Sequence, residues 1–464
     1  MALVESFSGI RGVYGKDLTE SIAIKYAYSY SSFLKSKLKS KNPTIVIGMD
    51  TRPSGIKLSD TILGALDCNF IDVGIAPTPA IEFAVRHFRA DGGIIITASH
   101  NEPYWNGFKF LNYDGSVLNE NDISQVIKNS KSLQNFHKIQ ERKIIEANSE
   151  AISKYTNFIL GIVGTENIGR IRNSNQKIVL DPNGGAGAIA KKILEKAGAN
   201  VIGVNMTYGE FNRTIEPGED SLIYLKNIID ENNADFAAGF DCDADRVEIL
   251  LKNGELMSGN YILAMIVDDM LSNSKIQKPV IVVNDATSNV VRDVALKYSA
   301  KVKEVEVGET NVLQEMKLSK ALIGGEGSSG GAIIPPSTCR DGILSLLLIL
   351  SIIAKKRKKL EEIIKELPKY YTIKKKIEFN PLKHNQIKKY IKEHYQKKDF
   401  EIRETGSIKG GLKVITSKNS YVWFRASKTE GNYLRIISDS SNKEEAEELM
   451  LEAVSVFKLA NDTS

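Results

Sequence analysis

Residues 43–74, PTIVIGMDTRPSGIKLSDTILGALDCNFIDVG, read as an apolar strand, a polar turn, an amphipathic helix and a second strand, which together form a βαβ unit. The pattern returns at 177–205 (KIVLDPNGGAGAIAKKILEKAGANVIGVN) and at 278–308 (KPVIVVNDATSNVVRDVALKYSAKVKEVEVG), each time with β-branched strands and a turn-rich opening before the helix. Three copies predict three related α/β domains. Their spacing, roughly 100 to 135 residues, is domain-sized and excludes a short-period solenoid.

The chain has 464 residues, 26% of them charged and 42% hydrophobic, with 35 Gly and 12 Pro. That is an ordinary globular composition, and it excludes disordered and fibrous classes. At roughly 100 to 150 residues per domain, the length predicts three or four domains. The βαβ copies fall in the first three, at 1–150, 151–255 and 256–368. Beyond Pro368 the composition turns Lys-rich, and 374–379, 413–416, 421–426 and 433–438 read as separate strands, with helices at 381–395 and 443–459. This predicts a fourth, α+β domain over 369–464.

Lys and Arg total 62 against 57 Asp and Glu, a net charge of +5 that is too small for this size to imply a nucleic-acid partner. Cys68, Cys242 and Cys339 lie far apart without a CxxC pair, so neither a disulfide framework nor a zinc knuckle is expected. The apolar run 343–354 has about 12 residues where a membrane span needs about 20, and it reads as a buried core helix. With Glu5 where a signal peptide would be basic, the expectation is a soluble, cytoplasmic protein without a membrane partner.

Four loops carry chemistry. In Gly92 to Phe110, GGIIITASHNEPYWNGFKF, an apolar strand runs straight into Thr97, Ala98, Ser99, His100 and Asn101. A Ser at the end of a buried strand faces a cleft, because ligands gather at the carboxyl ends of strands in α/β sheets. An isolated Ser there would be read as a helix cap or as closing an Asx-type turn. Here His100, Asn106 and Lys109 follow closely and would supply polar donors around the hydroxyl.

The second loop holds Asp241, Asp243 and Asp245, followed by Arg246, inside ADFAAGFDCDADRVEILL. Carboxylates at alternate positions of an extended segment would point to one side, and three of them repel unless a cation holds them. Oxygen-only ligation suits Mg²⁺. An EF-hand would need Gly at its sixth position and Glu at its twelfth, where Arg246 and Lys252 stand. A solvated acidic turn is the other alternative.

The third loop, GGEGSSGGAIIPP from Gly324 to Pro336, offers Glu326, Ser328 and Ser329 in a glycine-rich turn that could approach a sugar's hydroxyls, or could be a plain surface loop. The fourth, FRASKTEGNYLRI from Phe424 to Ile436, sets Arg425, Ser427, Lys428 and Thr429 between two strands. It reads as a phosphate cradle or as an ordinary surface turn.

The order TASHN, DxDxDR, GExSxG, RxSxTEG resembles the α-D-phosphohexomutase superfamily over essentially the whole chain. Ser8-Gly9-Ile10-Arg11-Gly12 and the DxRxSG turn Asp50-Thr51-Arg52-Pro53-Ser54-Gly55 look like two further motifs of that family. The resemblance implies four domains around a central cleft, three of them α/β and one C-terminal α+β. It implies a phosphohexomutase, an isomerase that interconverts hexose 1-phosphate and hexose 6-phosphate through a phosphoserine at Ser99. Mg²⁺ would be held by Ser99 and by Asp241, Asp243 and Asp245, and a hexose 1,6-bisphosphate would be the intermediate and activator. Arg11 and Lys109 would be the nearby cations, with Lys109 or His100 assisting proton transfer. Arg246, Glu326 and Ser328 would bind substrate, the last two at its 3- and 4-hydroxyls, while Arg425, Ser427 and Thr429 would hold the phosphate that is not reacting. The fourth domain, joined near 368–372, would move as a lid, and the enzyme would be a monomer or homodimer.

Departures from the family pattern bear on the sugar. Glu102 stands where many members have Pro, Ser329 and Gly330 where many have Gly and His, and Ala286 where some have a sugar-binding Lys. The expected activity is that of a phosphomannomutase/phosphoglucomutase, with phosphoglucosamine mutase as the alternative. A metal-dependent phosphatase fits less well, since the five histidines form no ligand cluster in the sequence. A sugar-phosphate-binding protein without turnover would not need Ser99 beside a metal site.

Overall fold

The computed structural model describes residues 3–6, 9–39, 42–132, 143–327, 329–406, 410–427 and 432–463. Each βαβ copy read from the sequence is present. Thr44–Met49 and Asn69–Ile75 flank the helix Gly55–Ala65, Lys177–Asp181 and Asn200–Gly203 flank Ala190–Ala197, and Val280–Asn284 and Lys301–Val305 flank Asn289–Lys297. In all three the two strands pair in parallel. The strands read as continuous apolar runs because helices cover both faces of such sheets. Gly92–Ile96, for instance, is buried at every residue.

The chain divides into two compact units, 1–258 with 330–361, and 259–329 with 362–464. The first unit contains a seven-stranded sheet in the order Val4–Ser6, Gly9–Val13, Trp105–Leu111, Gly92–Ile96, Thr44–Met49, Asn69–Ile75, Ile144–Glu146. It also contains a five-stranded sheet in which Phe236–Phe240 pairs in parallel with Lys177–Asp181 and antiparallel with Val247–Leu251. The apolar run expected to be a core helix is Gly342–Lys356, with Ile343, Leu346, Leu347 and Leu350 buried. Asp341 caps it, accepting from Leu344 N at 2.8 Å. The Tyr155 hydroxyl reaches both oxygens of the same carboxylate, at 2.9 and 2.8 Å.

The second unit joins the third βαβ copy to an antiparallel sheet in the order Tyr371–Glu378, Tyr433–Ser440, Ser420–Ala426, Leu412–Ser417, Glu401–Glu404. The edge strand Glu401–Glu404 carries three charged residues among its four and escaped the sequence reading. Tyr421, Trp423 and Ile437 pack on Ala286, and the Tyr421 hydroxyl donates to the carbonyls of Ala286 and Thr287. Lys413 pairs with Glu304 at 2.8 Å. The junction expected to act as a hinge thus lies inside this unit, where the Tyr370 hydroxyl donates to Asp293 at 2.6 Å. Among the described residues, no helix is long and apolar enough to cross a membrane.

Candidate active site

The first unit gathers Arg11, Ser99, His100, Lys109, Asp241, Asp243, Asp245 and Arg246. Ser99 follows the strand Gly92–Ile96, and the next element is another strand, Trp105–Leu111, so the helix-cap reading falls. Its backbone has φ +53°, a left-handed conformation that residues other than Gly seldom adopt without support. The support is local: Ser99 N donates to Thr97 Oγ1 at 2.8 Å, and the Ser99 carbonyl accepts from Arg52 at 2.7 Å. The strand Gly9–Val13 sets Arg11 opposite Gly107, and its guanidinium donates to Asn101 Oδ1 at 3.0 Å. Burial pushes Arg11 down to about 10, against the pull of Asp243 and Asp245. Asn106, expected to donate near Ser99, turns instead to Ser54 Oγ at 2.8 Å.

The three aspartates are buried, and one oxygen from each lies within 4.8 Å of the others. They converge for a different reason from the one expected. Residues 241–245 form a turn with Ala244 at φ +53°, so the chain folds back and brings the carboxylates together without strand alternation. The turn is held from behind, where Gly185 approaches so closely that a Cβ would lie 2.8 Å from Cys242 O, and Ala186 N donates to that same oxygen at 2.8 Å.

Cations flank the cluster. Lys109 Nζ lies 2.8 Å from Asp243 Oδ2 and 3.4 Å from Asp245 Oδ2, Arg340 reaches Asp245 Oδ2 at 3.5 Å, and Arg246 Nε stands 3.7 Å from Asp241 and 3.6 Å from Asp245. The Thr78 hydroxyl donates to Asp243 Oδ2 at 2.7 Å. Burial pushes Asp241 well above the usual carboxylate range, and Asp245 and Asp243 add to it. Burial acts on Asp245 too, yet Arg340, Lys109 and Arg246 outweigh it and hold that carboxyl below its ordinary range.

Asp241 Oδ2, Asp243 Oδ1 and Asp245 Oδ1 remain buried without a hydrogen-bond partner. Unmet buried carboxylate oxygens are costly, and three hard anionic donors brought this close suit a divalent cation such as Mg²⁺. The residues present therefore fit a metal ion. Thr78, Arg340 and the pair Asp50–Arg52 were not assigned a role from the sequence. Only the DxRxSG turn carried a signal for any of them.

In the second unit, Glu326 follows the short strand Ile323–Gly325, and its Oε1 accepts from Asn284 Nδ2 and Gly308 N, both at 2.9 Å. Arg425, on Ser420–Ala426, donates to Glu306 at 3.2 Å and to Val307 O at 3.3 Å. Ser427 N donates to Tyr433 O at 2.7 Å beside the ends of the strands Ser420–Ala426 and Tyr433–Ser440. Ser8, Ser328, Lys428 and Thr429 lie outside the described residues.

The phosphoglucomutase/phosphomannomutase α/β/α domains I, II and III match residues 5–136, 153–254 and 258–371. A phosphoglucomutase/phosphomannomutase of Thermococcus kodakarensis is 34% identical over 449 residues, 95% of each chain. A phosphoglucosamine mutase of Alkaliphilus oremlandii is 29% identical over 445 residues, 94% of each chain. The fold matches that of pp63/parafusin, a phosphoglucomutase from Paramecium in its open form, with a TM-score of 0.83 at 18% identity over 98% of this chain and 95% of that one. The chain belongs to the phosphoglucomutase/phosphomannomutase family, within the α-D-phosphohexomutase superfamily, and is a mutase, an intramolecular phosphotransferase.

Proposed function

We propose that the protein interconverts the 1- and 6-phosphates of glucose and mannose through a phosphoserine at Ser99. The observation that carries this reading is the buried Asp241, Asp243, Asp245 cluster, each carboxylate keeping one oxygen without a hydrogen bond while Lys109 takes the other side of Asp243. These three aspartates would hold Mg²⁺ together with an oxygen on Ser99. When bound, the ion supplies positive charge that offsets the charge of a transferring phosphoryl group.

A hydroxyl of the sugar phosphate attacks the phosphorus on Ser99. The bond from phosphorus to Ser99 Oγ breaks as the bond to the sugar oxygen forms, giving a hexose 1,6-bisphosphate. The departing Ser99 Oγ takes a proton from the Lys109 ammonium, and the attacking hydroxyl gives its own proton to the His100 ring or back to Lys109 Nζ, which regains its charge. The sugar then turns over, and its other phosphoryl group returns to Ser99, so that hexose 1,6-bisphosphate also serves as activator. Arg11 and Lys109 neutralise the equatorial oxygens during both transfers. Arg246, Glu326 and Ser328 bind the sugar, and Arg425, Ser427 and Thr429 hold the phosphate at rest.

Similarity to the Thermococcus protein supports the glucose and mannose reading, and similarity to the Alkaliphilus protein keeps glucosamine phosphate as the alternative. No side chain assigned here distinguishes substituents at C2. Discrimination between glucose and mannose should therefore stay within about tenfold to a hundredfold, because stronger rejection needs a polar group left unpaired by the wrong sugar. The test is kcat/KM for glucose, mannose and glucosamine 1-phosphates, each with its matching bisphosphate. A preference of several orders of magnitude for glucosamine phosphate selects the alternative.

A further inference from the structure

The DTRPSG turn after Thr44–Met49 has no part in the transfer just described, yet its arginine is 2% exposed and fully engaged. Arg52 Nε donates to Asp50 Oδ2 at 3.0 Å, Nη1 to the carbonyls of Glu102 and Trp105 at 2.6 and 3.2 Å, and Nη2 to those of Ser99 and Asn101 at 2.7 and 2.5 Å. All five donors of the guanidinium are used, three of them on main-chain carbonyls of the loop that carries Ser99 and one on that of Trp105, where the next strand begins. An ammonium has only three donors and no planar fork, so Lys could not satisfy them together.

The arginine is itself fixed. Asp50 Oδ1 accepts from Arg52 N at 2.9 Å, and Asp50 Oδ2 accepts from Thr97 Oγ1 at 2.6 Å. Thr97 Oγ1 in turn accepts from Ser99 N at 2.8 Å. The Ser99 residue is thus gripped on both sides, its N–H by Thr97 and its carbonyl by Arg52, and it is held at φ +53°.

We propose that Arg52, set by Asp50 and Thr97, is the positioning residue of the Ser99 loop, holding the left-handed main chain that aims Oγ for phosphoryl transfer. This rests on Ser99 being the phosphoryl carrier. Misplacing a reacting group by about 1 Å costs on the order of a hundredfold in rate. Arg52→Lys should therefore lower kcat by about that factor, with KM within about threefold of wild type, because Arg52 touches the loop and not the sugar. Transfer from glucose 1,6-bisphosphate to Ser99, followed by intact mass, should slow in parallel.

Thr97→Val removes only the hydroxyl relay and should also lower kcat at nearly constant KM, while Thr97→Ser recovers most of the loss. This pair decides the matter if Arg52→Lys fails to fold. Wild-type kcat and phosphorylation rate in folded Arg52→Lys, or equal rates in Thr97→Val and Thr97→Ser, overturn the proposal. Failure of the underlying reading looks different, since wild-type enzyme would then gain no phosphoryl mass on Ser99 and Ser99→Ala would keep its activity.

Discussion

At the scale of single residues, the site is a problem in placing negative charge where water cannot screen it. Three carboxylates are buried together, and Lys109, Arg246 and Arg340 reach them from the flanks. Each still keeps one buried oxygen without a hydrogen bond, a costly arrangement that a bound divalent cation would relieve. Asp241→Asn removes one anionic donor and should weaken Mg²⁺ binding by at least about tenfold, since loss of even an outer partner of a metal ligand has that effect. Calorimetric titration measures it, and unchanged affinity in the folded variant would falsify metal ligation by Asp241. Ser99→Ala keeps the loop's main-chain bonds and should abolish most turnover while leaving thermal unfolding unchanged. Wild-type kinetics in that variant rule out Ser99 as the carrier.

At the scale of elements, the helix Gly342–Lys356 begins on a carboxylate with an unusual environment. Burial pushes Asp341 up to about 6 from an ordinary 3.8, although the bonds from Leu344 N and Tyr155 oppose the shift. The native state therefore holds the proton more tightly than the unfolded chain does. Stability contributed by this group is full below pH 4 and declines as pH rises through about 6, by roughly 3 kcal/mol over the window. Asp341→Asn cannot titrate, so the stability of wild type minus variant should fall between pH 4 and pH 6.5 in urea melts. A difference that stays flat with pH rejects this. Tyr155→Phe leaves the buried carboxylate with fewer donors and should cost about 1–3 kcal/mol at neutral pH.

At the scale of the whole molecule, the third βαβ copy and the C-terminal sheet belong to one compact unit. Their contact is a buried aromatic cluster reinforced by the Tyr421 hydroxyl, and by Asp439, which accepts from Asn289 N at 2.8 Å. Trp423→Ala should cost about 3–5 kcal/mol, as truncating a buried aromatic does. Because the cluster is shared, amides in Val280–Asn284 and in Tyr433–Ser440 should lose hydrogen-exchange protection together. Loss confined to the C-terminal sheet counts against a single cooperative unit.

The three βαβ copies were legible because strand and helix periods are local properties, written in runs such as Ile45 to Ile47 and the helix that follows. The short charged strand Glu401–Glu404 was not, because only its pairing with Leu412–Ser417 makes it a strand. At the site, residue types and spacing alone point to Ser99, Lys109 and the aspartates. The left-handed turn that gathers the aspartates, and the partners Thr78 and Arg340, come from contacts spanning 165 and 95 positions of the chain. Asn106 was read as a donor near Ser99 because it is close in sequence, and its amide is committed to Ser54, 52 positions away. The sequence by itself determined which chemistry the chain carries, since chemistry follows from side-chain types. Only the tertiary structure decided which groups meet, because burial and long-range packing set every distance on which their charges depend.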